Sequence, residues 1–236
     1  MAAHPDLSSR RWLILASTVV SFFSVGITFF AVPPLIPELM ARFDLSHLAI
    51  GVLMGAISVP AIFFSIPLGA AIDRWPARAT GNIALATMVV GAGLFALAPG
   101  YAVLVIGRLL FGFGGLALNL LLARLVSTAF AGRELALAMG VFNAVYPASM
   151  ITMFTLHPVL LTGLGWRGEL VALGVVVLLA IPLHALAVPR GLRGGDPDTG
   201  PGDTGPLLSP PLIALASSWL LFFAAYASIF TFASEW

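Results

Sequence analysis

The segment GAAIDRWPAR, residues 69–78, carries the first charged side chains since Asp44, and the nature of that interruption decides the fold. Residues 45–72 read LSHLAIGVLMGAISVPAIFFSIPLGAAI, with no acid and no arginine. Such a run is long and apolar enough to cross a bilayer, which takes roughly 20 residues. Asp73 then falls at the C-terminal end of a helix, the pole of the macrodipole that favours cations. It is either a solvated turn residue or a carboxylate held by a cation. Candidate cations on its side of the membrane include Arg78 nearby, and Arg124 and Arg133 at the next helix pair, and a positive helix N-terminus from another bundle would serve too. A contact that forms only when this side is closed would make Asp73 a latch.

The rest of the chain has the same character. Its 236 residues are 60% hydrophobic and 9% charged, with a mean hydropathy of +1.05. A soluble domain carries about 25% charged residues, so this is an integral membrane protein. A formal charge of +1 supplies no basic patch for nucleic acid. With no cysteine there is neither a disulfide framework nor a cysteine-based metal site. All eleven cations are arginine, and without lysine Schiff-base chemistry is closed.

Seven spans are expected, approximately Trp12–Leu35, His47–Ile72, Thr80–Leu97, Ala102–Leu122, Leu135–Leu161, Leu170–Val188 and Leu212–Ala233. Charged or Gly/Pro-punctuated separators divide them: PELMARFDLS, DRWPAR, APGY, FAGRE, TGLGWRGE and PRGLRGGDPDTGPGDTGPLLSPP. With the N-terminus in the cytoplasm, the cytoplasmic segments hold Arg10, Arg11, Arg74, Arg78, Arg124, Arg133, Arg190 and Arg193. The opposite side holds only Arg42 and Arg167. That asymmetry follows the positive-inside rule and sets the expected orientation in a bacterial-type inner membrane. SSRRWLI begins like a twin-arginine signal, but no small-residue cleavage site follows, so the first helix is expected to stay.

Three segments follow: a six-helix bundle over 1–190, a Gly/Pro/Asp-rich cytoplasmic linker over 191–211, and a seventh helix over 212–236. One helix behind a long linker reads as the start of a second bundle that the sequence does not contain. The six helices divide into two triplets with short tryptophan turns, DRW at 73–75 and WRGE at 166–169. These turns fall on opposite sides of the membrane, as an inverted repeat requires.

Arg108, in GRLLFGFGG at 107–115, is the one charge in the first six spans that cannot easily reach an interface. It either faces a cavity or a partner, or snorkels to the headgroups from its place near the helix start. Gly112, Gly114 and Gly115 let another helix approach closely. Ser21, Ser24 and Thr28 share one face of the first helix, either as packing surface or as cavity lining. Asn119 on the fourth helix, and Asn143, Tyr146 and Ser149 on the fifth, are the other polar positions. Prolines 33, 34, 60, 147 and 182 imply kinks. No acid falls in mid-span, so no carboxylate proton relay is expected in this half. His157 and His184, near helix ends beside Pro158 and Pro182, read as interfacial or packing residues. No metal spacing and no nucleophile motif is present, so neither cofactor nor enzyme activity is expected.

These residues resemble the major facilitator superfamily of secondary transporters. Its loop between helices two and three reads Gly-x-x-x-Asp-Arg-x-Gly-Arg-Arg, matched by Gly69, Asp73, Arg74 and Arg78, with Pro76 and Ala77 departing from it. Its fourth helix carries Arg-x-x-x-Gly-x-Gly, matched by Arg108, Gly112 and Gly114. GRELALAMGVFNA (132–144) is similar to the lead-in to helix five, and GWR (165–167) to that of helix six. The antiporter motif is only echoed, by Gly140, Ala144, Pro147 and Ala148, so antiport is not implied. IPLGAAIDRW is similar to cyanate- and nitrate-type permeases, although Ser65 stands where the nitrate family has an arginine.

The resemblance implies the N-terminal half, linker and seventh helix of a twelve-helix, all-α transporter. It implies that Asp73 bonds the helix-four/five side and the opposite bundle in a closed cytoplasmic gate. Arg74 and Arg78 would be partners or inner-leaflet anchors. For Arg108 it implies proton coupling or substrate contact. The expected function is movement of a small solute, an anion if Arg108 meets it, by ion- or proton-coupled alternating access. The remaining site lies on a missing C-terminal bundle or a second copy. The rival is a seven-helix receptor, which the six-plus-one layout disfavours.

Overall fold

The computed structural model describes residues 5–130 and 134–193, together with positions 210, 213, 214, 217, 218 and 221. The chain divides into two compact units, Met1–Asp196 and Pro197–Trp236, and the first contains everything discussed below. Most of the seventh span and most of the 191–211 linker lie outside the described residues.

Helix α1 (Pro5–Phe30) runs into a 3-10 turn at Pro33–Leu35, where two prolines without N–H groups interrupt the ladder, and on into α2 (Ile36–Phe43). Asp44 ends α2 in the left-handed conformation, φ 49°. Ser46 caps α3 (His47–Ala56), its Oγ accepting from the Ala49 N–H at 3.2 Å. The apolar run continues as α4 (Val59–Arg74), so the second span is two helices broken at Ile57–Ser58, ahead of Pro60. Helices α5 (Ala77–Ala96) and α6 (Tyr101–Ala129) follow the third and fourth expected spans, α6 reaching a further two turns at its C-terminal end.

Helix α7 (Leu135–Ala187) is not straight: two helical limbs meet at a kink. At 1.5 Å per residue its 53 residues would span about 80 Å, far beyond the roughly 30 Å hydrocarbon core. Gly165, at φ 68° and ψ 169°, folds it back. Residues His157 and Glu169 consequently touch at 2.8 Å, where an unbroken helix would hold them about 18 Å apart. The fifth and sixth spans are therefore the two limbs of a hairpin. Five stretches are long and apolar enough to cross a membrane, and the folded α7 makes six passes of them among the described residues.

Glycines let α5 and α6 approach closely. A Cβ on Gly107 would stand 2.8 Å from Gly91 O, and one on Gly114 2.6 Å from Ala84 O, so α5 and α6 pack backbone to backbone. At the end of the bundle carrying Asp73, residues after α7 tie back. Ala77 N–H donates to Leu192 O at 2.7 Å, and Pro76 forms an isolated antiparallel bridge with Arg193.

Candidate functional site

Asp73 forms an ion pair with Arg124 of α6. Of the cations the sequence offers, the structure selects this one, on the helix that packs against α4. Gly69 precedes Asp73 by one turn, and the Arg124 guanidinium lies over it, 3.9 Å from where a Cβ would be. One face of α4, spaced at four residues, thus meets one arginine. Both side chains stay more than a third exposed, 35% for Arg124 and 40% for Asp73. Such pairs contribute about 0.2–1 kcal/mol. The contact is weak enough to break and reform.

Arg74 is exposed, whereas Arg78 is half-buried in an open cleft with Pro76, Ala79, Asn82, Arg190 and Gly191. Arg133 lies outside the described residues. A second link at this end joins Arg11 of α1 to Glu134, just before α7, at 2.8 Å.

Arg108 does not snorkel. It is 4% exposed, with its guanidinium between the Phe29 and Phe95 rings, 5.9 and 5.7 Å from their centroids. Nη2 donates to Met54 Sδ at 3.4 Å, and Nε is buried without a partner. No carboxylate approaches within ion-pairing distance among the described residues. Two aromatic faces and a thioether compensate a buried cation only partly, each cation–π contact being worth about 0.5–2 kcal/mol. Beside Arg108 lies a cavity of about 20 Å3, bounded by Thr28, Phe95, Gly107, Phe111 and Leu170 among others. That is room for about one water, not a solute-sized chamber.

The polar face of α1 is buried throughout: Ser21, Ser24 and Thr28, and also Ser17 and Thr18, which extend it toward the N-terminus. Most of it serves packing. Ser24 donates to Val20 O at 2.7 Å and Thr28 to Ser24 O at 2.9 Å, while Ser149 of α7 reaches Phe23 O at 3.4 Å. Thr28 alone of the expected stripe reaches the Arg108 cavity, and Ser21 Oγ has no partner. Tyr146 stands at the surface of the unit, but its ring contacts Phe30 at 4.8 Å and Phe29 at 6.0 Å. Because Arg108 lies over Phe29, an aromatic path joins it to Tyr146. Asn143 is exposed and donates to Met139 O at 2.8 Å. Asn119 is exposed.

Gly112 brings α6 against the α3–α4 break: a Cβ there would collide with the Ile57 carbonyl. Gly114 packs on α5, as described above. The two motif glycines therefore hold α6 between two neighbours while Arg108, one turn before Gly112, looks into the cavity.

The two histidines that read as interfacial or packing residues are both buried. His157, 9% exposed, pairs with Glu169, which is wholly buried although the sequence places it in a separator between spans. His184 is also wholly buried, packed so closely on α5 that Gly81 alone admits its ring. Only the glycine at 81 hinted at this. A charge beside a turn reads as interfacial, and its depth depends on how the neighbouring helices close over it.

The sequence profile of the Major Facilitator Superfamily matches residues 16–235. Among solved structures, the chain is similar to a bacterial homologue of the human lysosomal transporter Spinster, in an inward-facing and unoccupied conformation. The TM-score is 0.68 at 16% sequence identity, over 88% of this chain and 48% of that one. This chain thus spans about half the length of the transporter whose fold it matches.

Proposed function

We propose that this chain, which belongs to the Major Facilitator Superfamily, forms half of a transporter that moves a small anionic solute across the membrane by alternating access. The observation that carries the anionic reading is Arg108: a buried guanidinium with an unsatisfied Nε, a neighbouring cavity and no carboxylate partner among the described residues. Such a cation is stabilised by an arriving anion, and its planar fork suits carboxylate or oxyanion groups. Thr28 supplies a hydroxyl beside it. Tyr146, Asn143 and Asn119 would complete the lining from the surface that a second six-helix bundle, or a second copy, covers.

Asp73 with Arg124 is the latch of the opposite gate. It closes the end that the arginine asymmetry assigns to the cytoplasm of an inner membrane, with the N-terminus on the same side. Coupling to an ion or proton gradient would drive the cycle, with no cofactor and no covalent chemistry.

Ligand-dependent thermal stabilisation of the purified protein, screened with small carboxylates and oxyanions against neutral and cationic solutes, tests the anionic reading. An anion should raise the transition temperature of the parent. Arg108→Gln should weaken its binding about tenfold to a hundredfold, the scale of one charged hydrogen-bonded contact. Stabilisation by cations alone, or by anions equally in the variant, would contradict it.

A further inference from the structure

The bundle also buries an ionisable pair that is not part of the Arg108 cavity lining. His157 Nδ1 and Glu169 Oε1 stand 2.8 Å apart, on the two limbs of α7. Glu169 has no exposed surface, and its Oε2 has no hydrogen-bond partner.

The charged and titratable groups on the surrounding elements are engaged elsewhere. On α2, Arg42 lies over the Trp166 ring and Glu38 is exposed. On α3, His47 is exposed. On α6, Arg108 is directed at Met54, and the Tyr101 hydroxyl donates to Ala49 O. On α7 itself, Arg167 lies over Trp166 and donates to Ala98 O. The arginines of α1 and α5 are at the other end of the bundle.

An ionised Glu169 beside a neutral His157 would therefore be an uncompensated charge in an apolar interior. One proton shared by the pair removes that charge, whether it rests on Oε1 or on Nδ1. Two features let the limbs part. Gly165, four residues before Glu169, is the fold in α7. Pro158, next to His157, has no N–H to donate back along the helix.

We propose that His157 and Glu169 form a one-proton site that latches the two limbs of α7 at the Gly165 end of the bundle, so that parting the limbs and releasing the proton to water are one event. The site does not depend on which solute moves.

The sign of the linkage follows from counting protons. Latched, the pair holds one. Parted and hydrated, a glutamate titrates near about pH 4.3 and a histidine near about 6.5. Above about pH 6.5 the parted pair holds none, so the opening constant rises about tenfold per pH unit. Between about pH 4.3 and 6.5 the parted histidine keeps one proton, and opening is independent of pH. With Glu169→Gln the latched site holds no dissociable proton. Opening is then flat above about pH 6.5 and increases as pH falls below it. With His157→Gln the latched carboxyl keeps its proton and the slope begins near about pH 4.3.

The chain has no cysteine of its own, so one introduced thiol reports opening. Met153, wholly buried one turn before His157, is changed to cysteine in the full chain in lipid nanodiscs. Its maleimide modification rate is divided by that of Thr162→Cys, an exposed position, which cancels the thiol's own titration. The ratio should climb about tenfold per unit above about pH 6.5, and Glu169→Gln should abolish the climb. A flat ratio, no modification at position 153 at any pH, or the same slope in Glu169→Gln would overturn the proposal. Should that variant fail to fold, His157→Gln decides alone: an onset unchanged from the parent also overturns it.

Discussion

Asp73 shows how much one residue's setting reveals and where it stops. An acid at the end of a long apolar run, four residues after a glycine, marks a helix end that needs a cation. Which cation answers depends on the packing of α4 against α6, and it is Arg124. Because both groups are partly solvated, a double-mutant cycle of Asp73→Asn and Arg124→Gln in thermal unfolding should give a coupling of only about 0.2–1 kcal/mol. A coupling several times larger would mean a structural ion pair rather than a latch. The glycines separate as sharply. Gly112→Ala drives a methyl into the Ile57 carbonyl and should cost about 1–3 kcal/mol. Gly140, with nothing within 4 Å, should tolerate alanine or gain up to about 1 kcal/mol of helix propensity. Both are read from denaturation midpoints. Glu169 was the residue least legible in the sequence, since proximity to a turn says nothing of how the bundle covers it.

At the scale of elements, hydropathy located the spans because a bilayer imposes their length, and α5 lies within three residues of its expected bounds at either end. Breaks inside elements were only half legible. Pro60 announced a kink in the second span, but the interruption falls at Ile57–Ser58, where Gly112 of α6 presses against the backbone. The turn TGLGWRGE announced a reversal, and within it a single residue, Gly165, leaves the helical conformation and carries the change of direction. With φ 68° and ψ 169° that residue occupies a region essentially reserved for glycine. Gly165→Ala should cost about 1–3 kcal/mol and weaken the His157–Glu169 contact that the reversal brings about. Chemical denaturation of the reconstituted chain measures the loss. An unchanged midpoint would show that the hairpin is set by packing and not by this backbone.

The whole molecule is an integral membrane helical bundle of the Major Facilitator Superfamily, spanning about half of the solved transporter whose fold it matches. Family membership was legible because two motifs fall on the appropriate helices with their spacing intact. Solute preference was not. Arg108 reads the same in sequence whether it snorkels or looks inward, and its burial among Phe29, Phe95 and Met54 is a property of the assembled bundle. Uptake of labelled small anions into vesicles, by the protein together with the second bundle or second copy proposed above, tests the anion-transport reading most directly. Saturable uptake of an anion that Arg108→Gln reduces at least about tenfold is the expected result. Uptake confined to neutral or cationic solutes, or anion uptake that survives the loss of Arg108, would contradict it.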